Sequence, residues 1–316
     1  MTKQSKTLLV VAAVVLVVVV VGIAVWQALT AGEIVIGGKD FTEQSILAHM
    51  MAILIEENTD LTTETKTYLG GTMVCWNGLK AGQLDCYAEY TGTGLVTILK
   101  EPVIADPDEA YDKVKQACRG KFDLLWLKPF GFNNTYTLTM RGQQAEELGI
   151  KRFSDLAEYV RSGREPHLQA AFTAEFMQRP DGYKGLIEAY NLEFQDDPKQ
   201  MDPGLMYKNC ADGAVDVICG FATDGRIAAF GLKTLKDDQG FFPPYYAAPV
   251  IRMDTLEKHP ELEALLNKLG GRIDDKTMQR LNYEVDGKKR KAEDVAREFL
   301  QEEGLIGPAM SAREAE

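Results

Sequence analysis

KAGQLDCYAEYTGTG, Lys80 to Gly94, reads as a helix end, a glycine, a short strand closing on tyrosine, and a glycine-threonine turn. The same order recurs in ADGAVDVICGFATDG, Ala211 to Gly225. Gly82 falls on Gly213, Asp85 on Asp216, Tyr90 on Phe221 and Gly94 on Gly225, all at an offset of 131 residues. A strand-turn unit used twice implies two similar lobes. Each would present one aromatic side chain at the carboxyl end of a strand, where open α/β sheets bind ligands.

Strand and helix patterns alternate around these two units. EIVIGG is strand-like, and a helical pattern follows with Ile46, Leu47, Met50, Met51 and Leu54 on one face. Asp40 and Glu43 stand before it as a capping box. TTETKTYL, FDLLWL, LQAAFT and APVIRM read as further strands. Thr72 starts a helix through Leu79, another runs from about Thr91 to Lys100, and Ser154 caps a helix in SDLAEYVRSG. The alternation predicts α/β layers with mainly parallel sheets. From Asp254 onward the pattern is mostly charged amphipathic helix.

The 316 residues suffice for two ordinary domains, and 45% apolar with 26% charged residues suits a chain that buries a core. A formal charge of −12 argues against nucleic acid, which calls for a basic face, and mildly favours a cationic ligand. Gly92 and Gly94 fail the dinucleotide fingerprint, because Thr97 stands where the third small residue is needed. His49, His167 and His259 are isolated, and neither H-E-x-x-H nor G-x-S-x-G occurs. These observations predict no catalysis, cofactor or metal. Cys75, Cys86, Cys118, Cys210 and Cys219 form no C-x-x-C pair; disulfides 75–86 and 210–219, or inert buried thiols, are both open readings.

Leu8 to Leu29 carries no charge and follows Lys3 and Lys6. About 20 apolar residues span a bilayer as a helix, whereas a secretory signal has an apolar core of roughly 7–15. Residues 1–32 are therefore read as an uncleaved membrane anchor, with the lysines inside and the remaining chain extracytoplasmic. Cleavage near Ala31 is the alternative. No cysteine near this segment could carry a lipid.

Four aromatics stand where a core does not demand them. Tyr90 and Phe221 end strands before turns, Tyr136 follows Asn133 and Asn134 at a strand entry, and Tyr245 follows two prolines. A quaternary ammonium has no N–H to donate, so a box of electron-rich ring faces is the natural way to hold it. Gln44, Thr93, Asn133 and Asn134 are candidates for contacts to the other end of such a ligand.

GGKDFTEQ, YLGGT, CYAEYTGTG, WLKPFGFNNTYTL, RPDGYKGL, GFATDGRIAAF and GFFPPYYAAPVIR, in this order, resemble the substrate-binding component of osmoprotectant ABC importers. This is the glycine betaine/carnitine/choline-binding family. The resemblance implies a two-lobed periplasmic-binding-protein-like (type II) α/β clamshell. One lobe would comprise residues 33–137 plus 245–316 and the other 138–244. It also implies capture of a quaternary ammonium solute for a membrane permease driven by a cytoplasmic ATPase. The family's cage tyrosines fall on Tyr90, Tyr136 and Tyr245; the fourth falls on Phe221, which keeps the ring and lacks the hydroxyl. Thr93 falls on a turn position similar to a specificity element of such proteins. A ligand-sensing domain and an enzyme acting on choline-like compounds are the alternative readings.

Overall fold

A computed structural model describes residues 33–308. The expected anchor segment lies outside them, and no helix among the described residues is long and apolar enough to cross a membrane. The strands are β1 (Glu33–Gly37), β2 (Thr62–Lys66), β3 (Cys86–Tyr90), β4 (Leu124–Trp126), β5 (Tyr136–Arg141), β6 (Ala170–Phe172), β7 (Lys199–Gln200), β8 (Val217–Phe221), β9 (Leu232–Thr234) and β10 (Ala247–Arg252). They form two five-stranded sheets, ordered β2-β1-β3-β10-β4 and β7-β6-β8-β5-β9.

The two sheets share one wiring. β1 pairs parallel with β2 and β3, and β6 pairs parallel with β7 and β8. β10 runs antiparallel between β3 and β4, as β5 does between β8 and β9. The expectation of mainly parallel sheets is thus corrected, since half of the pairings in each sheet are antiparallel. β5 and β10 do not return over a helical crossover, the connection that parallel neighbours need. Each enters its sheet from the other half of the molecule.

The repeated stretch is also repeated in space. β3 and β8 are the central strands of their sheets. Asp85 Oδ2 accepts the Val35 N–H at 2.9 Å, and Asp216 Oδ2 accepts the Gln169 N–H at 2.9 Å. Gly82 and Gly213 turn with φ of +73° and +79°, a region costly for any residue with a Cβ. Each carboxylate ties the start of its strand to the neighbouring parallel segment, five residues before the aromatic that ends the strand.

The helix Thr42–Asn58 is buried on all sides along most of its length, and not only on the face predicted. Helices Glu261–Leu266, Asp275–Asp286 and Ala292–Glu302 cover the rest of it. A helix apolar all round is stable only when so enclosed. Its capping box does not form. Phe41 holds the N-cap position with no side-chain bond, and Glu43 turns inward instead. Ser154 does not cap either, because the helix Phe153–Arg161 begins before it and Asp155 accepts the Arg152 N–H at 3.0 Å. The helix starting at Thr72 runs to Lys80, while the expected helix over residues 91–100 shrinks to a π-helical segment, Thr93–Ile98.

All five cysteines are buried free thiols, so the buried-thiol reading holds and the pairings 75–86 and 210–219 do not form. The segments 127–135 and 235–246 carry the chain between the sheets and lie side by side. Asn133 bridges to Tyr246, the Asn134 N–H donates to the Tyr245 carbonyl at 3.0 Å, and Asn133 Oδ1 accepts the Tyr245 N–H at 2.7 Å.

Candidate functional site

A cavity of about 440 Å³ lies where the carboxyl ends of the parallel strands of both sheets meet. Tyr90 and Phe221 reach it as the last residues of β3 and β8. Tyr136, the first residue of the antiparallel β5, pairs with Phe221 and so comes to the same end. Tyr245 arrives from the second linking segment. A Cβ on Gly92 would lie 2.8 Å from two Tyr245 ring carbons, so glycine in the YTGTG turn makes room for that ring. Gly94 serves packing too, since a Cβ there would lie 2.7 Å from Val114 and 2.9 Å from Trp126. The turn forms part of the wall of the cavity.

The rings form a continuous chain. Phe221 and Tyr136 have centroids 5.1 Å apart, and Tyr136 meets Tyr245 nearly edge-on at 5.6 Å. Phe41 closes the gap on the other side, stacked on Phe221 at 5.4 Å and on Tyr90 at 6.3 Å. Phe41 was not among the expected residues. It sits after β1, at the same sheet edge as Tyr90, but its charged neighbours in KDFTEQ hid it. Offset and edge-on rings at these separations attract one another by about 0.5–1.5 kcal/mol beyond area burial.

Thr93 and Asn134 also line the cavity. Gln44 and Asn133, also expected to contact a ligand, are not among the residues that line it. Gln44 stands behind Tyr90, donating from Nε2 to the Tyr90 hydroxyl at 3.0 Å and to the Ala88 carbonyl at 3.0 Å. Asn133 fixes the Tyr245 backbone from outside. Both were expected as polar contacts to the ligand, and both brace the tyrosines from the rear.

Glu43 is the hub behind the cage and is only 2% exposed. Its Oε1 accepts from the Tyr90 hydroxyl and from Asn134 Nδ2, each at 2.7 Å. Its Oε2 accepts from Thr223 Oγ1 at 2.5 Å and Asn282 Nδ2 at 3.2 Å. Donors from both halves of the molecule thus meet on one carboxyl group. Burial pushes Glu43 above the usual carboxylate range, against the pull of these four donors. Burial likewise pushes the Tyr90, Tyr136 and Tyr245 hydroxyls well above their ordinary value, so all three are neutral phenols.

Two native cations border the rings. Lys39 Nζ lies 5.0 Å from the Tyr90 centroid and 2.6 Å from Glu89 Oε1, in a buried pair. Arg179 lies 5.4 Å from the Tyr136 centroid and 5.8 Å from that of Tyr245. Asp181 grips its guanidinium at two points, 2.8 and 2.6 Å, and accepts a hydrogen bond from the Tyr245 hydroxyl. Each cation is therefore matched by a buried carboxylate, the condition for holding charge in a low-dielectric interior. Asp40, Glu175 and Asp202 line the cavity as well. Burial, aided by the neighbouring Glu175 and Asp202 carboxylates and opposed by a backbone hydrogen bond, raises Asp40 above its ordinary range. None of these charged residues was expected at the site; Asp40 was read as part of a helix cap, and Lys39 and Glu175 look locally like solvated surface.

An aromatic-lined cavity between two like-wired α/β sheets defines a solute-binding protein of the periplasmic-binding-protein type. The chain belongs to the family described as the substrate binding domain of ABC-type glycine betaine transport systems, whose sequence profile matches residues 32–302. That family comprises substrate-binding transport proteins and not enzymes. The chain is 40% identical over 269 residues to the carnitine transport binding protein OpuCC of Listeria monocytogenes, covering 84% of this chain and 85% of that one. It is 40% identical over 277 residues to a glycine-betaine-binding protein of Pseudomonas aeruginosa, covering 86% and 88%. A crystal structure described as a glycine betaine/carnitine/choline ABC transporter superposes with a TM-score of 0.71 at 36% identity, covering 87% of this chain and all of that one.

Proposed function

We propose that this substrate-binding domain works outside the cytoplasm and captures quaternary ammonium compatible solutes such as glycine betaine, choline or carnitine. The methylated nitrogen sits among the rings of Tyr90, Tyr136, Phe221, Tyr245 and Phe41. Residues 33–137 with 245–316 form one lobe and residues 138–244 the other, closing over the ligand about the two linking segments. The loaded domain delivers its ligand to a membrane permease coupled to a cytoplasmic ATPase, and residues 1–32 tether it to the membrane. One observation carries the reading: rings from the ends of both sheets converge on a single cavity of about 440 Å³.

The energetics are consistent with this assignment. Each well-placed ring face attracts a cation by about 0.5–2 kcal/mol. Four or five faces supply a few kcal/mol, whereas micromolar affinity needs about 8 kcal/mol. Apolar burial of the methyl groups and polar contacts from Thr93 and Asn134 supply the difference. Calorimetric titration with glycine betaine, choline and carnitine tests the assignment. Saturable one-to-one binding of at least one is expected, with the ligand recovered unchanged; turnover of the ligand, or binding of none, would refute it.

A further inference from the structure

The cavity contains a seat for an anion, and a side chain of the protein occupies it. Thr72 opens the nine-residue helix Thr72–Lys80, so its N–H has no partner within the helix and lies at the positive end of the dipole. Glu175 reaches this point across the cavity, from the segment that follows β6 in the other sheet. Its Oε1 accepts from Thr72 Oγ1 at 2.8 Å and its Oε2 from the Thr72 N–H at 3.3 Å. Arg179 Nη1 adds a bond to Oε1 at 3.1 Å, and Lys39 Nζ donates to Thr72 Oγ1 at 2.9 Å. Gly71 leaves the space, since a Cβ there would lie 2.6 Å from Glu175 Oε2. Burial opposes the charge on Glu175, but Lys39, Arg179 and the Thr72 bonds outweigh it and hold the carboxyl below its ordinary range.

We propose that Glu175 sets the discrimination between carboxylate-bearing and carboxylate-free quaternary ammonium ligands, by filling the seat that a ligand's own carboxylate would take. The inference rests on the function proposed above. A zwitterion with its nitrogen among the rings must displace Glu175 or meet its charge in a cavity that also presents Asp40 and Asp202. A cation such as choline has no carboxylate to place, and gains Glu175 as a counter-charge. The contact also ties one sheet to the other, so its release is coupled to how the two halves meet.

The test compares choline with glycine betaine on the native protein and on Glu175→Gln by calorimetry. The variant should raise the affinity ratio of glycine betaine to choline by about tenfold or more, the effect of one charged hydrogen-bonding partner. Gly71→Ala is an independent route. Its backbone φ of −75° accepts a side chain, and the new methyl would push the carboxylate out of its seat, so the ratio should move the same way. An unchanged ratio in both variants, or equal weakening of both ligands, would overturn the proposal and leave Glu175 a structural tie. Failure of the native protein to bind glycine betaine, choline or carnitine would overturn the parent reading, and this one with it.

Discussion

Replacing Tyr136 by leucine removes one ring face at the centre of the cage while keeping an apolar side chain of useful volume. Its centroid lies 5.0–5.9 Å from the rings of Phe176, Phe221, Tyr245 and Phe242, and the Arg179 guanidinium lies over it at 5.4 Å. Loss of one cation–π contact of about 0.5–2 kcal/mol weakens ligand binding by about twofold to thirtyfold. Loss of the ring–ring contacts costs stability of about 1–3 kcal/mol, a drop in Tm of several degrees. Tyr136→Phe is the matched control, because it keeps the face and removes only the hydroxyl. Calorimetry gives the two Kd values, and thermal unfolding shows that both variants are folded. Wild-type affinity in a folded Tyr136→Leu, or an equal loss in Tyr136→Phe, would refute the ring-face argument.

Three further outcomes are expected. Phe221→Tyr keeps the ring that stacks on Phe41 and faces Tyr136, so affinity should stay within about threefold of native; abolished binding would mark Phe221 as a packing residue only. Burial pushes the Cys75, Cys210 and Cys219 thiols up to about 12 and Cys118 up to about 11. An aromatic disulfide reagent should therefore find almost no thiol in native protein and all five after denaturation. Burial raises Glu43 above its ordinary 4.5, so its protonation favours the fold; that contribution is full below about pH 4.5 and is lost as pH rises through the folded-state value. The unfolding free energy of native protein minus that of Glu43→Gln should accordingly fall from pH 4 to pH 7 in urea titrations, and a difference that rises would contradict the direction assigned.

The parts of the molecule legible in its sequence are those written in short-range pattern. The Lys80–Gly94 and Ala211–Gly225 stretches became β3 and β8 with matching aspartate locks, because a strand, its preceding glycine and its terminal aromatic are all local. Tyr136 and Tyr245 carried local signals too, the one at a strand entry after two asparagines and the other after two prolines. Strand direction was not, because β5 and β10 look locally like any buried strand, and only the path between the two halves makes them antiparallel. The charged side of the site was hidden by residue type. Glu43 beside Asp40 has the spacing of a cap, yet its carboxyl is taken by donors up to 239 positions away in the chain. Glu175 and Arg179 carry the helix-surface spacing of an ordinary exposed pair, and only the fold brings Thr72, Tyr136 and Tyr245 around them. Phe41, enclosed by charges, gave no periodic signal.

The central claim is that the rings hold a positive charge and not merely a bulky apolar group. Choline and its neutral carbon isostere 3,3-dimethyl-1-butanol have nearly the same shape and hydroxyl, so a paired calorimetric titration isolates the charge. Binding of the isostere at least about tenfold weaker than choline is predicted from the summed ring contributions. Equal affinity for the two would contradict the account.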